Sequence, residues 1–236
     1  MTLDFEGHCA EIVTQTSLLI GHLDGADLTV PVPTCPGWNV SVLARHVDGG
    51  QRWAREIVAT RALEPPSDVA LRDLSGADDD DPGTVSASLT EVAAALAATL
   101  AEAGPNAQMW CPVGGGSAFY ARRFAYETAM HRADAALALG VEYTLDPDVA
   151  AVVSTSGLAP GRTIGLHATD TDAHWLLDLT GDVIAWRGAD EPAAAEIRAP
   201  VTDLLLTIYR RRRAGGLDVT GDAALVDFWL ERVAFG

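Results

Sequence analysis

The segment RRFAYETAMHRADAALALG, residues 122–140, combines apolar helical spacing with charged side chains on the apolar face. Apolar residues recur at steps of three and four, which predicts a helix over about 117–139 that stops at Gly140. Glu127 and His131 are one helical turn apart and share this stripe. The stripe consists of Tyr120, Phe124, Glu127, His131, Ala135 and Ala138. Because an unpaired buried carboxylate is costly or takes up a proton, both polar side chains need a partner.

Three further helices are predicted before this one. Apolar residues at helical spacing favour amphipathic helices over about 4–23, 40–61 and 84–103. Asn39 is a suitable cap for the second helix, and Gly104-Pro105 ends the third. Four helices within the first part of the chain predict a four-helix bundle.

The hydrophobic period changes from helical to alternating in the later part of the chain. Alternation predicts strands over 163–170, two strands within 174–188 around the turn at 180–182, and another strand near 193–198. Pro200 can open a helix, which we expect to end in the basic run Arg210 to Arg213.

The last predicted element is a helix that starts at Asp222. Its expected buried residues are Leu225, Phe228 or Trp229, and Val233. The fold class is therefore α+β overall, with an all-helical part followed by a smaller α+β part. We place the two domains at residues 1–150 and 151–236.

Composition excludes several classes of partner. The net charge of −17 argues against binding to nucleic acids or anionic membranes, which needs a basic face. The sequence contains no run of eighteen or more apolar residues, so we predict no membrane span. The N-terminus lacks the pattern of a signal peptide. Three widely spaced cysteines indicate neither a disulfide framework nor a zinc ribbon. We therefore expect a cytoplasmic protein.

His46 is the third polar residue of interest, since it lies at the edge of the apolar face of the second helix. If this helix faces the fourth, then His46, Glu127 and His131 converge. Two imidazoles and one carboxylate make a metal site with positions left open for water or substrate, which is typical of catalytic sites. The alternative is a salt bridge of Glu127 with Arg123 or His131, with His46 as an ordinary core histidine.

Asp134 lies one turn beyond His131. It can accept the second ring N–H of a metal-bound histidine, as outer carboxylates commonly do. It can equally pair with Arg132 or Arg123, and the sequence alone leaves both interpretations open.

Two motifs, VPVPTCPGWNVSVLARHV at 30–47 and RRFAYETAMHRADA at 122–135, resemble the mycothiol-dependent maleylpyruvate isomerase family. The segments at 163–182 and 199–233 resemble the C-terminal domain of that family, so the likeness spans nearly the whole chain. The resemblance implies a DinB/YfiT-like four-helix metal-binding domain followed by a sterol-carrier-like α+β domain.

The resemblance also implies a site and a chemistry. The family's ligands fall on His46, Glu127 and His131, with zinc as the expected ion, although iron, nickel or cobalt also suits such ligands. Members use mycothiol, whose thiolate adds to an electrophile, either as an isomerase or as a thiol S-transferase. The partners are thus a thiol and a small electrophile. An arginine after a leucine-rich helix acts near the metal, which by position is Arg211, with Arg212 as its neighbour.

Several other residues are weaker candidates. Trp38, Tyr120 and Arg123 flank the metal motifs and are candidates to line a thiol or substrate pocket, although packing is the favoured role for Trp38. Cys35 and Cys111 precede prolines and are interpreted as quiet loop residues. The strand histidines are left unassigned, because they show no ligand spacing; these are His167 and His174.

Two other functions remain open at this stage. One is a non-catalytic protein of the same fold that binds a ligand or acts as a regulator. The other is a metallohydrolase that uses the same ligands, which would turn over substrate without any thiol.

Overall fold

The computed structural model describes residues 3–68, 81–112, 115–144, 162–179, 185–212 and 216–232. Its contacts divide the chain into two compact units, which meet in sequence between Tyr143 and Thr144. The predicted domain boundary at 150/151 lies outside the described residues and stays a prediction.

The first unit contains the four predicted helices, and the expected α+β class with an N-terminal helical bundle is confirmed. The helices are α1 (Phe5–Leu23), α2 (Val40–Thr60), α3 (Pro82–Ala103) and α4 (Gly116–Leu139). The side chains of Asp4, Asn39 and Asp81 accept hydrogen bonds from backbone N–H groups in the first turns of α1, α2 and α3. These caps fix where each helix begins.

α4 packs against α1, α2 and α3. Residues 128–136 are all buried, so the prediction of a single inward stripe was too narrow. The frequent alanines of this segment let neighbouring helices approach on several sides. Arg132 is buried away from the predicted stripe, where its Nε donates to Gln15 Oε1 at 2.7 Å and its guanidinium stacks on Tyr143.

One helix in the described residues, α3, is long and apolar enough to cross a membrane by length and composition, with a mean hydropathy of 1.4. A single helix of this kind is a weak indication, because core helices pass the same criterion. The buried stripe of α3 packs against α1 and α2; it consists of Val85, Leu89, Val92, Ala93, Leu96 and Leu100.

The second unit is built on a sheet whose described strands have the order β3-β2-β1-β4-β5. The strands are β1 (Thr163–Ala168), β2 (His174–Asp178), β3 (Ala185–Gly188), β4 (Ala195–Ala199) and β5 (Asp218–Gly221). β1 pairs with β2 in antiparallel and with β4 in parallel orientation. Two helices accompany the sheet, α5 (Val201–Ile208) and α6 (Ala223–Arg232).

Three details of the second unit differ from the predictions or extend them. β5 was not predicted, because this short, largely exposed strand lacks an alternating apolar pattern. α5 does not run into the arginines; Arg210 adopts φ +60°, and the N–H groups of Arg211 and Arg212 donate back to Leu206. In α6, Trp229 rather than Phe228 is fully buried. The turn at 180–182, Arg213 and Val233 lie outside the described residues.

Candidate metal centre

The predicted ligands converge on one side of α4. Glu127 Oε1 lies 3.4 Å from His131 Nε2 and 3.9 Å from His46 Nε2. The two imidazole rings are 4.9 Å apart between centroids and nearly perpendicular. One donor atom from each residue lies within 4.8 Å of the other two. Glu127 and His131 meet because they are one turn apart, and His46 reaches them because α2 packs against α4.

Arg123 orients the carboxylate of Glu127. Its guanidinium NH2 lies 2.8 Å from Glu127 Oε2, which leaves Oε1 facing the two imidazoles. Burial opposes ionisation of Glu127, but contacts with His131, His46 and Arg123 outweigh it and hold the pKa well below its usual range. Glu127 is therefore a carboxylate with one oxygen held by Arg123 and the other directed at the histidines.

Asp134 holds the other ring nitrogen of His131. His131 Nδ1 lies 3.0 Å from Asp134 Oδ2, and a carboxylate oxygen can only accept, so Nδ1 carries the proton. Nε2 is therefore the ring nitrogen that faces Glu127, and it offers a lone pair to a cation when it is deprotonated. Burial lowers the pKa of His131, but hydrogen bonds with Asp134 and Cys35 and the charge of Glu127 raise it well above its ordinary value.

Two loop residues complete this arrangement: Thr34, which the sequence did not single out, and Cys35. Thr34 Oγ1 donates to Asp134 Oδ1 at 2.7 Å, and the Cys35 thiol donates to Oδ2 at 3.6 Å. Asp134 is fully buried. Cys35, which was interpreted from the sequence as a quiet loop residue rather than a nucleophile, therefore makes a supporting contact with Asp134. Both residues belong to the segment PTCPGW, part of the motif on which the family resemblance rests. That motif was the sequence signal that could have indicated their supporting role.

The geometry fits a divalent cation. A charge-assisted hydrogen bond between an imidazole and a carboxylate would measure about 2.7–2.9 Å, shorter than either separation here. Ligand atoms that each lie about 2.1 Å from a tetrahedral zinc ion are about 3.4 Å from one another. The observed separations of 3.4 and 3.9 Å are close to that value. Nitrogen and oxygen donors of this kind suit zinc and other late first-row metals.

Trp38 and Tyr120 have different environments. The Trp38 ring lies 4.8 Å from the His46 ring and 6.1 Å from the His131 ring, between centroids. Tyr120 is fully buried and its hydroxyl donates to the Trp110 carbonyl at 2.8 Å. It lies about 10.5 Å of helix rise before Glu127. Its contacts are those of a core residue, and they do not support the predicted role of Tyr120 in a pocket.

The two arginine candidates belong to the other unit. Arg211 NH1 donates to the Tyr209 carbonyl at 2.9 Å, and its side chain is half-buried. The Arg212 guanidinium forms an ion pair with Asp203. Their predicted roles near the metal remain predictions.

Comparisons with known proteins place the chain in a family. The sequence profile of the mycothiol maleylpyruvate isomerase N-terminal domain matches residues 9–136. A comparison with curated proteins gives no match. The chain is similar to the crystal structure of the mycothiol-dependent maleylpyruvate isomerase, with 14% identity and a TM-score of 0.64 over 93% of this chain and 95% of that one. A histidine-to-alanine mutant of that enzyme has 14% identity, the same coverages and a TM-score of 0.65. At this identity the structures show a shared fold, and the matched profile shows that the chain belongs to the mycothiol maleylpyruvate isomerase N-terminal domain family.

Proposed function

We propose that the protein is a metal- and mycothiol-dependent enzyme that adds a thiol to an electrophilic small molecule. The metal ligands are His46, Glu127 and His131. The product is either an isomer, when the thiol leaves again, or a thiol conjugate, when it stays. Zinc is the proposed ion, and we place the reaction at this ion in the helical bundle.

One observation carries this proposal. Three donor atoms from α2 and α4 converge inside the bundle. Arg123 and Asp134 contact the ligand residues through atoms that would not bind the cation. Arg123 binds the outer oxygen of Glu127, and Asp134 binds the outer nitrogen of His131. A simple salt-bridged cluster would not need the donor atoms to be left facing one another at these separations.

The chain's own residues prepare the site before any reaction. Asp134 fixes the tautomer and ring orientation of His131, as carboxylates do for metal-bound histidines. Trp38 covers one side of both imidazoles, which limits water access and fixes their planes. Arg123 keeps Glu127 from turning toward solvent. A divalent cation bound there would lower the pKa of a coordinated thiol, so that the nucleophilic thiolate forms near neutral pH.

Arg211 is proposed to stabilise negative charge that develops on the substrate, with Arg212 as its neighbour. An arginine presents several N–H donors in a planar fork that suits a carboxylate or enolate oxygen. The support for this role is the resemblance of residues 199–233 to the C-terminal domain of the family and the position of the arginines after the leucine-rich helix α5.

The test uses the zinc-loaded protein with mycothiol and a panel of electrophiles, namely maleylpyruvate, other unsaturated carbonyl compounds and epoxides. Products are separated by liquid chromatography and weighed by mass spectrometry. Isomerisation gives a product of unchanged mass and altered retention. Transfer gives a product whose mass is the sum of thiol and electrophile. Either product must require both metal and thiol.

The matched controls are His46→Ala, which removes a ligand, and His22→Ala, which removes a histidine of α1 outside the site. We expect the first to abolish product formation and the second to leave it unchanged. Turnover without thiol would instead indicate a metallohydrolase. A purified protein with less than about one-tenth equivalent of metal, unchanged by His46→Ala, would contradict the proposal and favour a non-catalytic role.

A further inference from the structure

A second cluster of metal-ligating side chains lies in the sheet unit. His167 is in β1, His174 is in β2, and Asp190 follows β3. His167 Nδ1 lies 3.1 Å from His174 Nδ1 and 3.6 Å from Asp190 Oδ1. One donor atom of each residue lies within 4.8 Å of the other two. In the metal-free protein the two rings share a hydrogen bond through their Nδ1 atoms. The separations of 3.1 and 3.6 Å lie on either side of the value of about 3.4 Å expected of two ligands on one small divalent cation.

Strand pairing builds this cluster. His167 and His174 are directly opposite each other in the antiparallel register of β1 and β2, so their side chains leave the same face of the sheet. The register of β2 with β3 places Gly188 opposite Trp175, and the Ala189 N–H donates to the His174 carbonyl at 3.2 Å. Asp190 is the next residue. Backbone hydrogen bonds therefore hold all three residues together without any ion.

The second ring nitrogen of His167, Nε2, is buried. The His167 side chain is almost fully buried, and Nε2 makes no hydrogen bond within the described residues. Glu196 Oε2 lies 3.8 Å from this nitrogen, too far for a hydrogen bond but close enough to close with a small rotation. If Nδ1 binds a cation, Nε2 must carry the proton and can donate it to Glu196. That is the usual partner of a metal-bound histidine.

Gly165 makes room for this ring. A Cβ atom at that position would lie 2.9 Å from His167 Nε2. The glycine is two residues before His167 on β1, so both project to the same face of the strand.

The charges around the cluster favour a cation. Asp190 and Glu196 contribute two carboxylates, and Arg198 is a basic residue nearby, opposite His167 in the parallel register of β1 and β4. Arg198 is paired with Glu196 at 3.1 Å, which offsets part of its repulsion. Two imidazoles and one carboxylate suit zinc, copper, nickel and cobalt rather than magnesium or calcium.

We propose that His167, His174 and Asp190 form a second binding site for a late first-row divalent cation. The site takes two ring nitrogens and one carboxylate oxygen from the protein and completes its coordination with water. Glu196 accepts the outer N–H of His167. The proposed thiol chemistry uses none of these residues, so either site can be disproved without affecting the other.

The test removes the bundle site and then titrates cobalt. The tag-free double variant His46→Ala, Glu127→Ala is titrated with Co²⁺, and binding is followed by visible absorption and calorimetry. We expect one equivalent to bind. Adding His174→Gln should weaken that binding by more than about 100-fold, since a ligand is lost rather than an outer partner. His174 is half-exposed, so the variant is expected to fold, which circular dichroism would verify.

Two pairs of variants sharpen the result. Asp190→Asn should weaken cobalt binding, whereas Asp172→Asn, an exposed carboxylate in the neighbouring turn, should not. Gly165→Ala should displace the His167 ring and weaken binding while all three ligands remain. The proposal is overturned if the double variant binds no cobalt, or if His174→Gln leaves the affinity unchanged.

Discussion

The two histidine clusters of this protein contain the same donor types but are supported in different ways. In the bundle, side chains hold the outer atoms of both His131 and Glu127. In the sheet, backbone pairing brings the histidines together, but the outer nitrogen of His167 has no hydrogen bond within the described residues. The side chain of Asp190 is also 71% exposed. The bundle cluster is therefore preorganised at the side-chain level, and we expect it to bind metal more tightly.

The largest expected effect comes from Glu127→Ala. Removing the central carboxylate leaves two histidines without their shared oxygen, and metal content in the bundle should fall from about one equivalent to below about one-tenth. The helices should remain folded, but the metal-free variant is expected to be less stable than the metal-free wild type, because Arg123 and His131 lose the carboxylate that they contact. Elemental analysis in a His174→Gln background, in which the sheet cluster has lost a ligand, and calorimetric unfolding measure both quantities. Full metal occupancy in this variant would refute the ligand assignment.

A smaller effect is expected from Asp134→Asn. Thr34 and His131 donate to different oxygens of Asp134, and an asparagine replaces one of these oxygens with an NH2 donor, so the tautomer of His131 is no longer fixed. Loss of such an outer partner weakens metal binding by about 10–100-fold. Isothermal calorimetry with zinc would measure it, and Asp48→Asn, which removes a carboxylate paired with Arg52 on α2, is the control. Unchanged affinity would show that Asp134 is structural only.

Thr34→Val tests the outermost layer of the same support. The variant keeps the shape of the side chain but removes the hydroxyl that donates to the buried Asp134 carboxylate. A hydrogen bond to a charged group is worth about 1.5–3 kcal/mol, so the free energy of unfolding should fall by about that amount. Denaturant unfolding measures this, with Thr29→Val at an exposed position as the reference. If the free energy of unfolding falls no more than in Thr29→Val, the hydrogen bond of Thr34 does not stabilise Asp134.

The two clusters should also respond oppositely to pH in the metal-free protein. The raised pKa of His131 means that its stabilising effect is complete below about pH 6.5 and is lost as the pH rises through the raised value. Burial, and then the charge of Arg198, lower the pKa of His167. Its effect is therefore present above about pH 6.5 and is lost as the pH falls toward the lowered value.

Nuclear magnetic resonance of the histidine rings in chelator-treated protein measures this difference. His131 should stay protonated to a higher pH than a free histidine, and His167 should stay neutral to a lower one. Titration of both residues near the ordinary value would contradict the described contacts.

The four-helix bundle could be predicted from the sequence, because the spacing of apolar residues in a helix is a local pattern. Glu127 and His131 share a stripe through their i, i+4 spacing alone, and a bundle with facing helices brings in His46. The family resemblance, which the profile match confirms, pointed to the same three residues. Their role as ligands stays a prediction, but their convergence follows from these rules.

The remaining features depend on contacts that spacing does not reveal. The contacts of Thr34 and Cys35 with Asp134 span about a hundred residues of sequence. The meeting of His167 with His174 depends on strand register, which a one-residue slip would destroy. The end of α5 at Ile208 depends on the left-handed conformation of Arg210, a residue type that rarely adopts it.

The position of Trp38 gives the protein an internal optical reporter. Its indole lies against both imidazoles of the bundle cluster, so its fluorescence should change when those rings bind an ion. Paramagnetic cobalt or nickel should quench this emission, whereas zinc should shift it without quenching. Comparison with Trp38→Phe isolates the signal from the other five tryptophans. Ion binding at the bundle centre could thus be followed in real time and without labels, as the difference between the two proteins.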